Sequence, residues 1–334
     1  QRQMCIRDRF LIIASMLCMA SCDTIREDLP RCELWLEFAF DYNMEYADAF
    51  NPQVKSVDVF VFGSDDKLLF SKRAEATALI GGNRMSLTNE LDFGNYKVLT
   101  VGSLSDNFHA LDNAGRELVP GTTTLRQLTV ALKRASDIVD FEFQHLYFSG
   151  VVEVDHLPSN TDHKVYRVNL IRNTNRFNIA LMKYGEGQKN GTQYTFEIQA
   201  PESATYSWEN EPTHQGPVHY VPHYTGQGET SDVFVSARLN TMRLFNRDGW
   251  DYQFIIKNAD TGTKIWSYDL MKLLSIARPT SRHDGTELPF QEYLDRQSEW
   301  NLIFTVTEKS GGGEFIQIGL VVGTWIYWLH GIEI

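Results

Sequence analysis

Cys22, three histidines, two acid-bearing turns and four clustered aromatics are the residues in this chain whose types and spacing could do chemistry. Cys22 is the most specific. It follows Met19-Ala20-Ser21, the end of a mostly apolar block running from Phe10 to Ala20. An apolar run of about 7–15 residues that ends in small residues is a secretory signal, too short to span a bilayer. Small residues directly before a cysteine also suit a peptidase that cuts there once a diacylglycerol has been joined to the sulfur. Met19 stands where Leu is more usual. Residues 1–21 are therefore expected to be a signal peptide and Cys22 a lipidation site. The competing reading is an ordinary signal followed by a short Cys22–Cys32 disulfide. Cys5 and Cys18 fall inside the signal, and no cysteine follows Cys32. Without a disulfide framework the mature chain must be held by its core. Gln1 to Arg9 stands outside the fold argument: Met4 is a candidate start, and a cloning scar is the other reading.

His214, His219 and His223 share one stretch, and three imidazoles can bind zinc. Pro217 and Pro222 break any regular face there, and no acid stands at ligand spacing, so a polar surface loop is expected and no metal. Asp65-Asp66 and Asn258-Ala259-Asp260-Thr261-Gly262 lack the regular acids of a calcium cage and read as turns. No Gly-x-Ser-x-Gly, phosphate-binding glycine loop or His-Glu-x-x-His occurs, and no spacing selects a triad. Neither an enzyme nor a cofactor is expected. Tyr206, Trp208, Tyr220 and Tyr224 lie within 201–228. Exposed, they would stack on sugar rings, as in a surface adhesin or glycan-binding lipoprotein; buried, they would pack the loop down. The net charge of −12 over 334 residues offers no basic stripe for nucleic acid and no polybasic patch for a membrane. Membrane contact would have to come from lipid.

These residues need elements to position them, and the pattern supplies strands. Hydrophobic residues make up 43% of the chain and aromatics 12%, enough for a substantial core. After a polar tether at 22–32, Leu34, Leu36, Phe38 and Phe40 alternate with Glu33, Glu37 and Asp41, a half-buried strand. Val57, Val59 and Val61 carry the next strand, with Phe60 and Phe62 on its other side. Leu68 to Phe70, Met85 to Phe93, Tyr96 to Val101 and Val139 to Phe148 continue the first set. Leu125, Leu128 and Leu132 predict a short helix. Gly150 to Asp162, with Pro158-Ser159-Asn160, is the expected domain boundary. Val168 to Leu170, Phe177 to Leu181, Tyr194 to Ile198, Val233 to Phe245, Tyr252 to Lys257 and Lys264 to Tyr268 form a second set. Pro201 to Gly228 reads as a long loop. Asp269 caps a short helix bearing Leu270, Leu273 and Leu274, and Pro289 to Arg296 reads as another helical turn. Leu302 to Val306, Phe315 to Val322 and Thr324 to Ile334 close the chain. Phe315 to Leu329 is apolar on both faces, as a buried central strand or one shared with another subunit would be. Many short strands with few helices predict an all-β fold of two sandwiches, 33–156 and 163–334.

Several of these segments resemble the FimB-like fimbrial anchor lipoproteins of Bacteroidales. Cys22-Asp23-Thr24-Ile25-Arg26-Glu27-Asp28-Leu29-Pro30-Arg31-Cys32 is similar to their mature start. Asp48-Ala49-Phe50, His145-Leu146-Tyr147-Phe148-Ser149-Gly150, Leu170-Ile171-Arg172-Asn173 and Gln291-Glu292-Tyr293-Leu294-Asp295-Arg296 follow in the family's order. The resemblance implies two transthyretin-like sandwiches. It also implies a lipoprotein at the base of a type V pilus, fixing the fimbria to the outer membrane and limiting its length, with pilins as partners. Such pili grow by strand addition. The resemblance implies a retained first strand at Leu34, Leu36, Phe38 and Phe40. It also implies a candidate exchanged strand at Thr324, Trp325, Ile326, Trp328, Ile332 and Ile334, with little spare length beyond it. Glu27 and Asp28 beside the lipid site resemble signals that send lipoproteins to the outer surface.

Overall fold

Period-two alternation governs the folded chain, and it folds as strands. The structure is a computed structural model that describes residues 33–156, 163–183, 194–201, 204–213, 216–227, 233–280, 285–308, 315–322 and 325–329. The first half carries β1 (Glu33–Ala39), β2 (Ser56–Phe62), β3 (Leu68–Glu75), β4 (Arg84–Ser86), β5 (Gly94–Gly102), β6 (Phe108–Asp112), β7 (Leu128–Leu132), β8 (Ile138–Val139), β9 (Tyr147–Ser149), β10 (Val152–His156) and β11 (His163–Arg172). The second carries β12 (Thr174–Lys183), β13 (Tyr194–Ala200), β14 (Thr205–Ser207), β15 (Val218–Tyr220), β16 (Tyr224–Gln227), β17 (Val233–Met242), β18 (Gln253–Asn258), β19 (Lys264–Asp269), β20 (Glu299–Glu308), β21 (Phe315–Val322) and β22 (Trp325–Leu329). Three short helices are α1 (Phe50–Gln53), α2 (Leu270–Ser275) and α3 (Phe290–Arg296). No helix among the described residues is long and apolar enough to cross a membrane.

The first half is an eight-stranded sheet in the order β3-β2-β5-β9-β11-β1-β4, with β10 also paired to β5. It encloses a core of Leu34, Leu36, Phe38, Val59, Val98 and Val168, among others. The second half stacks the six-stranded sheet β16-β17-β12-β20-β21-β22 on the five-stranded sheet β19-β18-β13-β15-β8. Phe177, Ile179 and Leu181 from one sheet meet Phe196, Ile198 and Phe254 from the other. Phe254 and Phe304 stack with ring centroids 4.9 Å apart.

The halves are interlocked. The small sheet β14-β7-β6 draws strands from both, and β8 pairs with β15 in the second half's sheet. β2 is buried on both faces: Val57, Val59 and Val61 face the first core, while Phe60 and Phe62 join the larger core with Phe177 and Phe304. The chain passes from one half to the other at Asn173, because β11 pairs with β1 and β9 while β12 pairs with β17 and β20. The composition break before it, at Gly150 to Asp162, contains β10 and is followed by β11, both strands of the first half; its residues 157–162 lie outside the described ones.

Four expected elements differ. The strand over Val139 to Phe148 is not continuous: β8 ends at Val139 and β9 begins at Tyr147. The helix over Leu125 to Leu132 is a single 3-10 turn, Leu125–Gln127, with Thr124 and Gln127 as a capping box, followed by β7. Leu128, Val130 and Leu132 also fit period two, and the tertiary pairing with β6 and β14 decides. The strand over Met85 to Phe93 stops at Ser86, where Ser86 and Thr88 hydroxyls turn the chain. Within 201–228, three strands of three or four residues pair with β7, β13 and the following β17. Runs that short show no periodicity.

Candidate functional site

The first strand is seated inside its own sheet. In β1, Leu34, Leu36 and Phe38 are buried, with Glu33, Trp35 and Glu37 on the other face, and Phe40 just beyond is buried too. β11 lies parallel on one side, from Glu33 opposite His163 to Ala39 opposite Asn169, and β4 antiparallel on the other. Where β4 runs out, other groups continue the pairing. Leu34 N donates to Thr88 Oγ1 at 2.9 Å, and Phe38 N to Asn83 O at 3.1 Å. Asp48 Oδ1 accepts from Phe40 N at 2.9 Å and from Phe50 N at 3.0 Å. Phe50 then stacks on Phe38 at 6.0 Å. The outer face is tied by Arg84 to Glu37 at 2.6 Å and His163 to Glu33 at 2.8 Å. Each of the four buried side chains contributes roughly 1.5–3 kcal/mol of burial. The groove beside β11 is therefore filled by the chain's own strand.

The last described strand sits at an edge. β22 pairs antiparallel with β21, Ile318 opposite Leu329 through Val322 opposite Trp325, and has no further strand on its other side among the described residues. Leu329 is buried and Tyr327 is 43% exposed. Ile326 and Trp328 lie over Gly319, where a Cβ would come within 2.7 Å of Ile326 Cγ2 and 3.1 Å of Trp328 Cε3. A glycine is thus what lets β22 close onto β21. Thr324, Ile332 and Ile334 lie outside the described residues, as do Cys22 and the tether.

The remaining family-like segments converge where the halves meet. Asp295 of α3 takes both ends of the Arg243 guanidinium at 2.7 and 2.8 Å, and both side chains are largely buried. Burial alone would lower the Arg243 pKa; the Asp295 carboxylate outweighs it and raises it. Gln291 braces the same pair, donating to Leu244 O at 3.1 Å and Asp295 Oδ1 at 2.9 Å. Arg296 reaches into the first half, stacking over Tyr42 at 4.1 Å and Tyr46 at 4.3 Å and donating to Asn43 O at 3.2 Å. Arg172 lies over Phe40 and Tyr147 and bonds Gln53 and Ser298. His145 contacts Thr174 at 3.0 Å and Glu299 at 3.3 Å, and burial lowers its pKa. Asn173 and Asn210 exchange side-chain hydrogen bonds. Sequence reading singled out these motifs; Arg243 and Asn210, their partners, carried no local signal.

The candidate aromatic platform does not form. Tyr206 and Tyr220 are core residues, Trp208 packs against the core, and Tyr224 alone is exposed, with Arg238 5.1 Å over its ring. Burial raises the pKa of Tyr206 and Tyr220. The histidines separate too. His219 pairs with the buried Glu197 at 2.7 Å, beside Lys257. Burial would raise the Glu197 pKa, but its Lys257, His219 and Gln199 hydrogen bonds lower it. His223 stands in the turn before β16, and His214 lies outside the described residues. No three His, Cys, Asp or Glu side chains among the described residues gather closely enough to hold a metal. Asn258 Oδ1 accepts from Asp260 N and Thr261 N, which makes that segment a self-bonded turn.

The family model described as "Mfa2: Fimbrillin-A associated anchor proteins Mfa1 and Mfa2" matches residues 29–331. A crystal structure of an adhesin candidate from Bacteroides ovatus is 76% identical, with a TM-score of 0.86, covering 94% of this chain and 100% of that one. A polysaccharide-binding candidate from Bacteroides thetaiotaomicron is 28% identical, with a TM-score of 0.74 over 90% of this chain and 98% of its own. The fimbrial anchor protein Mfa2 from Porphyromonas gingivalis shares the fold, at 17% identity and a TM-score of 0.63, over 89% of this chain and 99% of its own. No curated protein matches.

Proposed function

The chain belongs to the family of fimbrillin-A associated anchor proteins Mfa1 and Mfa2, and from that premise we propose that it is an outer-membrane lipoprotein that anchors a fimbria and limits its length. The observation that carries this reading is β1, paired on both sides and buried through Leu34, Leu36, Phe38 and Phe40. A subunit whose first strand stays in place has no open groove for the next subunit's strand, so growth stops at it. Lipid on Cys22 would then hold the stopped end to the membrane, ten residues before the first strand begins. The strand β22, with no further strand on its outer side among the described residues, is where a neighbouring pilin could be engaged. An anchor role needs no catalytic group, in keeping with the absence of a catalytic motif from the sequence.

The test is a mild-detergent pull-down of tagged protein from native outer membranes, read by mass spectrometry, beside a Cys22→Ala variant. A fimbrial polymer is expected to co-purify, and the variant to shed that polymer into the medium. A membrane-bound protein that brings no pilin would sink the anchor reading and favour a glycan-binding lipoprotein.

A further inference from the structure

A pocket of about 460 Å³ lies where the two halves meet. That size fits a small organic ligand, for which pockets run roughly 300–1,000 Å³. Its walls come from three places: Lys55 and Ser103 from the first half, Glu142 and Gln144 from the connection before β9, and Arg176 from β12. The lining mixes polar and apolar surface, and several of its polar side chains are exposed with no bond inside the protein. The Arg176 Nη1 stands 3.9 Å from Glu299, beyond hydrogen-bond reach, while the buried Nε is closed off from any ligand. Lys55 Nζ has one weak contact, Pro52 O at 3.4 Å. The side chains of Asn107, Glu142 and Gln144 make no hydrogen bond among the described residues.

Ser103 shows that this wall is built rather than incidental. It is buried with φ at 57°, a left-handed conformation that costs a serine energy. Lys55 N donates to its Oγ at 2.9 Å and its own N donates to Ser56 O at 2.8 Å, so the strained turn is locked in place. The turn brings Ser103 and Lys55 to the same wall. Glu299, on the far side, is already shared by Arg172, Arg176 and His145. With the groups packed behind the lining included, three cations, Lys55, Arg172 and Arg176, stand against two carboxylates, Glu142 and Glu299. This is a locally positive pocket in a chain of net charge −12.

We propose that this pocket binds an acidic sugar, a pyranose ring bearing one carboxylate. Arg176 and Lys55 take the carboxylate, the guanidinium through its planar fork. Asn107, Gln144 and Glu142 take the ring hydroxyls, which both donate and accept, as two amides and a carboxylate together require. The pocket lining is rich in such groups, and its one aromatic, Phe143, is committed to the core. A peptide or an apolar anion would leave those amides unpaired. The site does not depend on the anchor role.

Titration calorimetry of the detergent-solubilised protein tests this with galacturonate and glucuronate, beside galactose, glucose and acetate. Uronates are expected to bind at least about tenfold more tightly than either neutral sugar or acetate, as losing a charged hydrogen bond implies. Arg176→Gln is expected to lose the advantage over the neutral sugars, and Gln144→Ala to weaken uronate while leaving acetate unchanged. Arg176 is 41% exposed, so its variant should keep the wild-type melting temperature; if it does not, Lys55→Met, at an exposed position, replaces it. Equal binding of acetate and uronate would reduce the pocket to a bare anion site and overturn the proposal. So would equal binding of neutral sugars, or no binding of any probe.

Discussion

Asp58 of β2 stands 3.1 Å from Arg73 of β3, yet its pKa is raised to about 6, because burial outweighs that half-exposed cation. The folded state thus holds this proton more tightly than the unfolded chain, whose aspartates titrate near about 3.9. Stability from Asp58 is full in acid and falls as pH rises from about 4 through 6. Asp58→Asn should therefore stabilise the protein at pH 7.5 by about 1–2 kcal/mol and flatten melting temperature against pH between 4 and 6. A variant that melts lower at pH 7.5 would show that the Arg73 pair dominates. At this scale the sequence was readable where a residue acts alone. Leu34, Leu36, Phe38 and Phe40 were legible from alternation, and Asp269 as a cap for α2. Tyr206 and Tyr220 were not, since nothing near them in sequence says that β7, β13 and β8 will cover them.

Between β21 and β22 the hairpin rests on one missing side chain. Gly319→Ala would drive a methyl into Ile326, Thr305 and Trp328, and Thr305 belongs to the neighbouring β20. The expected cost is about 1–3 kcal/mol, as for overpacking generally. It should be local: hydrogen exchange should speed up in β22 and stay unchanged in β1, on the other half. Uniform acceleration would mean that the hairpin is part of the global core. Elements with long alternation, such as β1, β2, β12 and β13, were plain in the sequence. The three-residue strands β14 and β15 were not, because their partners are remote and their length shows no period. The change of sheet at Asn173 was equally hidden: β11 and β12 form one nearly continuous apolar-alternating run, and only pairing partners separate them.

Across the molecule, one core draws on both halves, and Arg243–Asp295 and Arg296 on Tyr42 and Tyr46 fasten α3 to each side. The two halves change over at Asn173, and they should not melt separately. Scanning calorimetry should give one transition, and Asp295→Ala should lower stability by about 3–5 kcal/mol by stranding a buried guanidinium. Two resolved transitions would refute the single unit. The parallel pairing of β1 with β11 has a mechanical corollary. The first described residue, Glu33, stands opposite His163, and the chain leaves for the second half beyond Arg172, at the far end of β11. A pull on the tether against the second half drags the two strands past each other lengthwise. Their seven residue pairs, Glu33–His163 to Ala39–Asn169, share that load at once instead of parting one by one like a zipper. If Cys22 is held by lipid as proposed, such a joint resists tearing along the line of that hold.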